Sequence, residues 1–421
     1  MEIIVVEKSP PLKGKVRING AKNSALPILA ASLLGTEDII LEDVPDLKDI
    51  GIMCEVLRSL GAKVEILDKG IIKINSNNLN NFTTQYDLMN KMRASLLVMG
   101  PLLARLGKTR SSLPGGCAIG TRPIDLHLKG FKALGASIDT EHGNIDAFAD
   151  KLVGSKIYLD FPSVGATENI MMAASLAKGE TILDNAAMEP EIIDLQNFLN
   201  KLGADIKGAG TSTIKIKGVE KLAGGRHQII PDRIEAGTFM VAAAVTGGDV
   251  VVENVIGDHM KPVIAKLREA GAEIIEDGDN IRVIGNKDLR AIDIKTLPYP
   301  GFPTDMQSQF MALMTVAGGT SMVIETVFEN RFMHVDELKR MGADIKIDGK
   351  SAILSGVKGL TGARVKASDL RAGAALIIAG LVADGLTEVE NIYHIDRGYE
   401  NIEERFTNLG ARIYRRTIAE Q

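Results

Sequence analysis

Leu60-Gly61-Ala62-Lys63-Val64-Glu65-Ile66-Leu67 reads as a helix end, a reversal at glycine and a short alternating strand, and its first three residues set a pattern that returns five times. The later copies are Leu134-Gly135-Ala136, Leu202-Gly203-Ala204, Ala270-Gly271-Ala272, Met341-Gly342-Ala343 and Leu409-Gly410-Ala411. Successive glycines lie 74, 68, 68, 71 and 68 residues apart. An amphipathic helix of about three turns precedes each copy, and a strand such as Asp344-Ile345-Lys346-Ile347-Asp348 follows it. Earlier in every copy another helix is expected to end at a glycine: Gly35, Gly107, Gly179, Gly247, Gly318 or Gly385. A β-rich piece such as Ile39–Glu42 or Val250–Glu253 joins the two helices. Six βαβ-type units therefore span the chain.

The earlier helix of each unit is apolar on every side. Ile170 to Ala177, Phe310 to Ala317 and Ala372 to Ala383 contain almost nothing but Ala, Gly, Met and aliphatic residues. A helix with no polar face has to be buried all round, so helices belong inside and strands outside, three units to a domain. A length of 421 residues agrees with two domains. The break between the third and fourth units falls near Gly224 to Pro231, and the strand Glu2 to Val6 is left over to pair with either domain.

Composition narrows the function class. Hydrophobic residues make up 45% and charged residues 24%, with no Trp, which is ordinary for a globular enzyme. A net charge of −5 excludes the broad basic face that nucleic-acid binding needs. Two cysteines, Cys54 and Cys117, form no disulfide framework and point to a reducing compartment. Met1 to Ser9 lacks the pattern of a signal peptide, and no apolar run reaches a membrane-spanning length. The six histidines have no metal-ligand spacing, so neither a metal site nor a cofactor is expected.

Chemistry concentrates where the repeat places helix starts. Lys22, Arg93, Arg233, Asp305 and Arg371 lie thirteen or fourteen residues before the glycine that ends the earlier helix. Arg122, Glu329, Arg397, Glu191 and Arg331 lie eleven to thirteen residues before the repeat glycine, again at expected helix starts. Helix N-termini favour anions, so cations collected there imply anionic ligands between them and the helices. Ser112 to His127 adds a glycine-rich turn, with Gly115, Gly116 and Gly120 around Cys117, and then Arg122, Asp125 and His127. Glycines at that density keep a loop mobile and its thiol accessible, which suits a lid over a site. Thr304-Asp305-Met306-Gln307 also fits a capping box, leaving Asp305 either a helix cap or a catalytic acid.

These motifs carry a family resemblance over the full length. Gly20-Ala-Lys-Asn-Ser-Ala-Leu-Pro27, Leu113-Pro-Gly-Gly-Cys117, Thr121-Arg-Pro-Ile-Asp-Leu126, Pro300-Gly-Phe-Pro-Thr-Asp305, Phe328-Glu-Asn-Arg-Phe332, Asp369-Leu-Arg371 and Ile395-Asp-Arg-Gly398 resemble the UDP-N-acetylglucosamine enolpyruvyl transferases. The resemblance implies two inside-out α/β barrels of three repeats each. The first covers residues 22–230 with the Cys117 lid, the second residues 1–21 and 231–421, and the active site lies in the cleft between them. It implies transfer of the enolpyruvyl group of phosphoenolpyruvate to the 3′-hydroxyl of UDP-N-acetylglucosamine, in the cytoplasm and with no obligate protein partner. Lys22, Asn23, Arg122, Arg331, Arg371 and Arg397 match the phosphoenolpyruvate contacts. Arg93, Arg122, Pro123, Ile124, Asp125, Leu126, Ser163, Val164, Gly165, Asp305 and Val327 match the sugar-nucleotide contacts.

In this reading Cys117 delivers a proton to carbon and takes a covalent adduct, while Asp305 removes the hydroxyl proton. Met188, before Glu189-Pro190-Glu191, and Asp160-Phe161, before Ser163, depart from relatives that carry basic residues there. Two rivals stand beside this reading. One is transfer to shikimate 3-phosphate, which would share the repeats and arginines but not the Cys117 loop. The other is a non-enzymatic anion-binding repeat protein.

Overall fold

The computed structural model describes residues 2–84, 87–88, 92–112, 124–141 and 143–418. The chain separates into two compact units: one holds the described residues of Gly20–Ile230, the other those of Met1–Asn19 and Pro231–Gln421.

One repeat of the second unit illustrates the local logic. Strand Ile294–Lys295 leads into helix Gln307–Met314, then strand Thr320–Ile324, helix Val335–Arg340 and the hairpin Asp344–Asp348 with Ser351–Ser355. The sheet order is Ile294–Lys295, Thr320–Ile324, Ser351–Ser355, Asp344–Asp348; the first pair is parallel and the others antiparallel. Alternation puts Ala352 and Leu354 inward and leaves Ile353 on the outer face.

The repeated glycine earns its place through its backbone angle. Gly61, Gly135, Gly203, Gly271, Gly342 and Gly410 all have φ between 90° and 106°. In each, the glycine N–H and that of the following alanine reach back into the last helical turn, as in Gly61 N–H to the Arg58 carbonyl and Ala62 N–H to that of Leu57. The pair satisfies two orphan carbonyls and turns the chain into the next strand. The earlier-helix glycines behave less uniformly. Gly107 caps its helix at φ 68°, but Gly35 is extended at φ −75° because a 3-10 turn, Ser32–Leu34, ends that helix first.

The inner helices are covered as their composition requires. Arg233–Val245, Gln307–Met314 and Leu370–Val382 pack on one another in the second unit. In the first, Met99–Leu106 packs on Val164–Ala174, and the turn Arg93–Val98 bridges from there to Lys22–Ala31. The α/β architecture with helices inside holds. Among the described residues the strands form six separate open sheets, so the barrels are three sheets set around helices rather than closed cylinders.

Three of those sheets borrow a strand from a distant part of the chain. Glu2–Glu7 lies antiparallel between Leu386–Glu390 and Arg412–Thr417. Lys13–Arg17 runs parallel to Asp249–Glu253, and Gly225–Gln228 runs parallel to Ile39–Glu42. The leftover strand of the sequence thus belongs to the last repeat, where Ile3, Ile4, Val5 and Val6 are all buried.

Two alanine substitutions in the first unit should have opposite signs. Gly203 has φ 106° and open space where a Cβ would go, so Gly203→Ala costs about 1–2 kcal/mol through backbone strain alone. Gly51 sits inside helix Lys48–Ser59 with equally open space, so Gly51→Ala gains ~0.5–1 kcal/mol. Urea midpoints of the two variants against wild type check both.

Candidate active site

In the first unit, Lys22 is the first residue of helix Lys22–Ala31 and Asn23 the second. The Lys22 ammonium lies 3.7 Å from the Asp49 carboxylate, both buried. Asp49 comes from the first turn of helix Lys48–Ser59, so the cation at one helix start is met by an acid at another. The turn is held from below. The Ser24 hydroxyl donates to Asp194 at 2.5 Å, and Asp194 also meets His227 Nε2 at 2.9 Å and accepts the Ile230 N–H at 3.3 Å. Ala21 N–H donates to the Ile230 carbonyl at 2.7 Å.

Ser163 caps helix Val164–Ala174, its hydroxyl accepting the Ala166 N–H, and Val164 and Gly165 open that helix. A Cβ at Gly165 would stand 3.3 Å from the His127 ring, so the imidazole lies against bare backbone there. Asn169 takes the Gly100 N–H on its oxygen and donates its amide to the Leu96 carbonyl and to His127 Nδ1, which fixes His127 as an acceptor at that nitrogen. Ile124 precedes helix Asp125–Ala133, whose first two residues are Asp125 and Leu126. One turn into the Val164 helix, Glu168 is buried. Burial, with Glu191 and Glu189 close by, pushes its carboxyl well above the usual range. Arg93 begins the turn Arg93–Val98 as expected. Cys117, Arg122 and Pro123 lie outside the described residues.

In the second unit Asp305 is the centre. It sits in the turn Thr304–Met306 that opens helix Gln307–Met314. Arg331 Nη2 donates to Asp305 Oδ1 at 2.9 Å, and Arg371 donates to Oδ2 through Nε at 3.2 Å and Nη2 at 3.1 Å. Both guanidiniums are buried, 3% and 1% exposed. The capping-box alternative is therefore set aside: the Thr304 hydroxyl donates to Glu325 at 2.9 Å instead of capping, and the Asp305 carboxylate faces arginines.

Arg371 also donates Nη1 to the Tyr399 hydroxyl at 3.2 Å. That hydroxyl meets Thr238 Oγ1 at 2.9 Å, and the Gln309 amide reaches the Asp305 carbonyl at 2.9 Å. Burial opposes the Arg371 charge, but Tyr399, Asp305 and Asp232 outweigh it and hold the guanidinium protonated above its usual range. Arg331 Nη1 is buried with no hydrogen-bond partner among the described residues, a donor already desolvated.

Three expectations need correction. Glu329, Arg331 and Arg397 do not start helices. Arg331 sits in the turn before helix Val335–Arg340, and Arg397 caps the end of helix Tyr393–Asp396. Asn401, at φ 43°, delays the next helix to Ile402–Asn408, which shortens it from its N-terminal side. Val327, in the turn after strand Thr320–Ile324, has its N–H taken by Glu325 at 2.8 Å. Arg233 starts its helix and lies against the Tyr299 ring. Tyr399, Gln309, Thr238, Glu325, Asp49 and Asp194 were not singled out in the sequence. Only Gln307-Ser308-Gln309, polar within an apolar helix, offered a visible signal.

Two histidines flank these arginines. Burial lowers His334 to about 4, with Arg331 reinforcing the shift against Asp369. Burial and then Arg397 lower His394. Neutral imidazoles beside guanidiniums leave the positive charge on arginine, and the arrangement is suited to holding a small anion carrying both carboxylate and phosphate. Among the described residues no group of His, Cys, Asp or Glu could hold a metal ion. None of their helices is long and apolar enough to cross a membrane.

Comparison with known proteins agrees along the whole chain. The EPSP synthase (3-phosphoshikimate 1-carboxyvinyltransferase) family profile matches residues 6–406. UDP-N-acetylglucosamine 1-carboxyvinyltransferase 1 of Caldanaerobacter subterraneus is 65% identical over 98% of this chain and 99% of its own. The UDP-N-acetylglucosamine 1-carboxyvinyltransferase of Finegoldia magna is 66% identical over 99% of each. Among solved structures, the enolpyruvyl transferase NikO from Streptomyces tendae superimposes with TM-score 0.90 at 24% identity, covering 99% of both chains. EPSP synthase from Acinetobacter baumannii gives 0.77 at 20%, covering 99% of this chain and all of its own. Those two likenesses concern the fold.

The His334 shift predicts an acid limb of stability. Its folded value lies below the ordinary 6.5, so the stability it contributes is complete above pH 6.5 and is lost as pH falls towards 4. His334→Asn, whose amide can keep the bond to the Arg331 carbonyl, should flatten unfolding free energy against pH over that window. Denaturant titrations at several pH values check it.

Proposed function

We propose that this chain, which belongs to the enolpyruvyl transferase family, transfers the carboxyvinyl group of phosphoenolpyruvate to the 3′-hydroxyl of UDP-N-acetylglucosamine and releases phosphate. The observation that carries the reading is the Asp305 carboxylate clasped by two buried arginines, one with a spare donor. The acceptor follows from relatives 57–66% identical, all named UDP-N-acetylglucosamine 1-carboxyvinyltransferases, rather than from the shikimate-using branch. The product would enter peptidoglycan synthesis. We place the activity in the cytoplasm, with small-molecule substrates and no obligate protein partner.

Lys22 and Asn23 contact phosphoenolpyruvate, Arg122 and Arg397 hold its phosphate, and Arg331 and Arg371 its carboxylate. An incoming carboxylate takes Arg331 Nη1 first and then competes with Asp305 for Arg331 Nη2 and the Arg371 donors, which frees lone pairs on Asp305. The sugar hydroxyl oxygen then bonds to C2 while its proton passes to Asp305. The C2–C3 double bond takes a proton at C3 from Cys117, giving a tetrahedral ketal. The Cys117 thiolate then takes back a C3 proton, the double bond re-forms as the C2–O bond to phosphate breaks, and phosphate leaves with the proton held by Asp305. Arg93, Ile124 to Leu126, Ser163 to Gly165 and Val327 hold the sugar nucleotide. At Ser163 to Gly165 a helix start offers free N–H groups to an anion.

Phosphate release from phosphoenolpyruvate should require UDP-N-acetylglucosamine and stay at background with shikimate 3-phosphate. The reverse preference would move the chain to the other branch. Asp305→Asn should fold and lose ~10²–10⁴-fold in turnover, whereas near-wild-type turnover would remove it as the base. Fosfomycin, an epoxide phosphonate, should leave one adduct on Cys117. None should appear on Cys54, which is 3% exposed with its thiol pushed up by burial to about 11.

A further inference from the structure

The side chain of Glu325 is buried, at 1% exposed, yet every donor it meets is neutral. Oε1 accepts from the Thr296 hydroxyl at 2.7 Å, the Val327 N–H at 2.8 Å and the Phe328 N–H at 3.2 Å. Oε2 accepts from the Thr304 hydroxyl at 2.9 Å. Burying a carboxylate is costly unless its lone pairs are filled, and four donors are what this one collects. They come from three separate stretches, all leading towards Asp305. Thr296 ends the strand pairing, its N–H bonded to the Ile324 carbonyl at 2.9 Å and its hydroxyl taking the Thr326 N–H at 3.0 Å. Thr304 immediately precedes Asp305. Val327 and Phe328 open the turn that reaches Arg331, whose guanidinium lies 5.5 Å from the Phe328 ring centre.

These contacts close a loop. From Glu325 the path runs through Thr304 to Asp305, across the 2.9 Å ion pair to Arg331, and back through Phe328 to Glu325. We infer that Glu325 is a positioning residue for the reaction, holding the Asp305 turn and the Val327–Arg331 turn at the separation where Asp305, Arg331 and the Val327 backbone engage the substrates. It touches no reacting atom; it acts through Thr304 and through two backbone amides. This rests on the enolpyruvyl transfer reading above.

Three variants test it, each compared with wild type for unfolding midpoint, kcat and the KM of both substrates. Thr304→Val cuts only the link to Asp305 and should lower kcat about tenfold, leaving the KM for phosphoenolpyruvate within about twofold. Glu325→Ala frees both turns and should lower kcat about a hundredfold while raising the KM for UDP-N-acetylglucosamine. Glu325→Gln should recover to within about tenfold of wild type. Its amide oxygen takes the three donors at Oε1 and its NH2 donates to the Thr304 hydroxyl. A merely structural role would track the unfolding midpoint and leave the kcat of folded protein unchanged.

Folded Thr304→Val and Glu325→Ala with wild-type kcat would overturn the inference, as would a Gln variant no better than Ala. If Glu325→Ala does not fold, Thr304→Val alone decides. Wild-type protein that releases no phosphate with UDP-N-acetylglucosamine would instead overturn the functional reading, and this inference with it.

Discussion

Inner helices that are apolar on nearly every side have to be surrounded, and the positions of the remaining elements follow from that requirement. Leu370–Val382 buries eleven of its thirteen residues and Gln307–Met314 all eight. Sheets supply the cover, each with an apolar inner face and a charged outer one, tied by surface pairs such as Arg282–Asp249. A helix sheathed in this way can offer chemistry only at its ends. Lys22, Asp305 and Arg371 occupy the first turns of inner helices, and Ser163 caps another.

Placing cations at helix N-termini runs against the helix dipole, and at Lys22 and Arg371 the fold answers with an acid. Asp49 faces Lys22, and Asp305 faces Arg371 and Arg331. Asp369 takes the first N–H groups of the Leu370–Val382 helix, so capping there does not draw on Asp305. The outcome is a set of compensated charges that, in the proposed reading, are exchangeable, because a substrate anion would offer the same oxygens that Asp305 now provides. Neutral His334 and His394 add polarity without adding charge.

The repeat was legible because a single backbone angle enforces it. Only glycine takes φ near 90–106° without strain, and the same reversal is needed six times. Burial of the inner helices was legible from composition, as was the helix-start phase of Lys22, Asp305 and Arg371. Arg331 and Arg397 were misplaced by the same counting, since the outer helices of the last two repeats are shorter than their spacing implied. Glu325, Tyr399 and Asp194 carry no local sequence mark, because their side-chain partners lie 21 to 170 residues away in the chain. A carboxylate that binds neutral donors looks, in sequence, like any solvated acid.

The borrowed strands impose an order of events on a chain made from one end to the other. The unit holding Gly20–Ile230 has all its sheets once Gly225–Gln228 has emerged to flank Ile39–Glu42. Glu2–Glu7 has no such early partner, since its neighbours on both sides are among the last strands synthesised. At about 5–20 residues per second, the interval is roughly 20–80 s. Through it, Ile3-Ile4-Val5-Val6 stays a bare apolar strand of the kind that pairs with whatever edge it meets. Its place in the sheet is therefore taken only after the strands on both sides of it have been made.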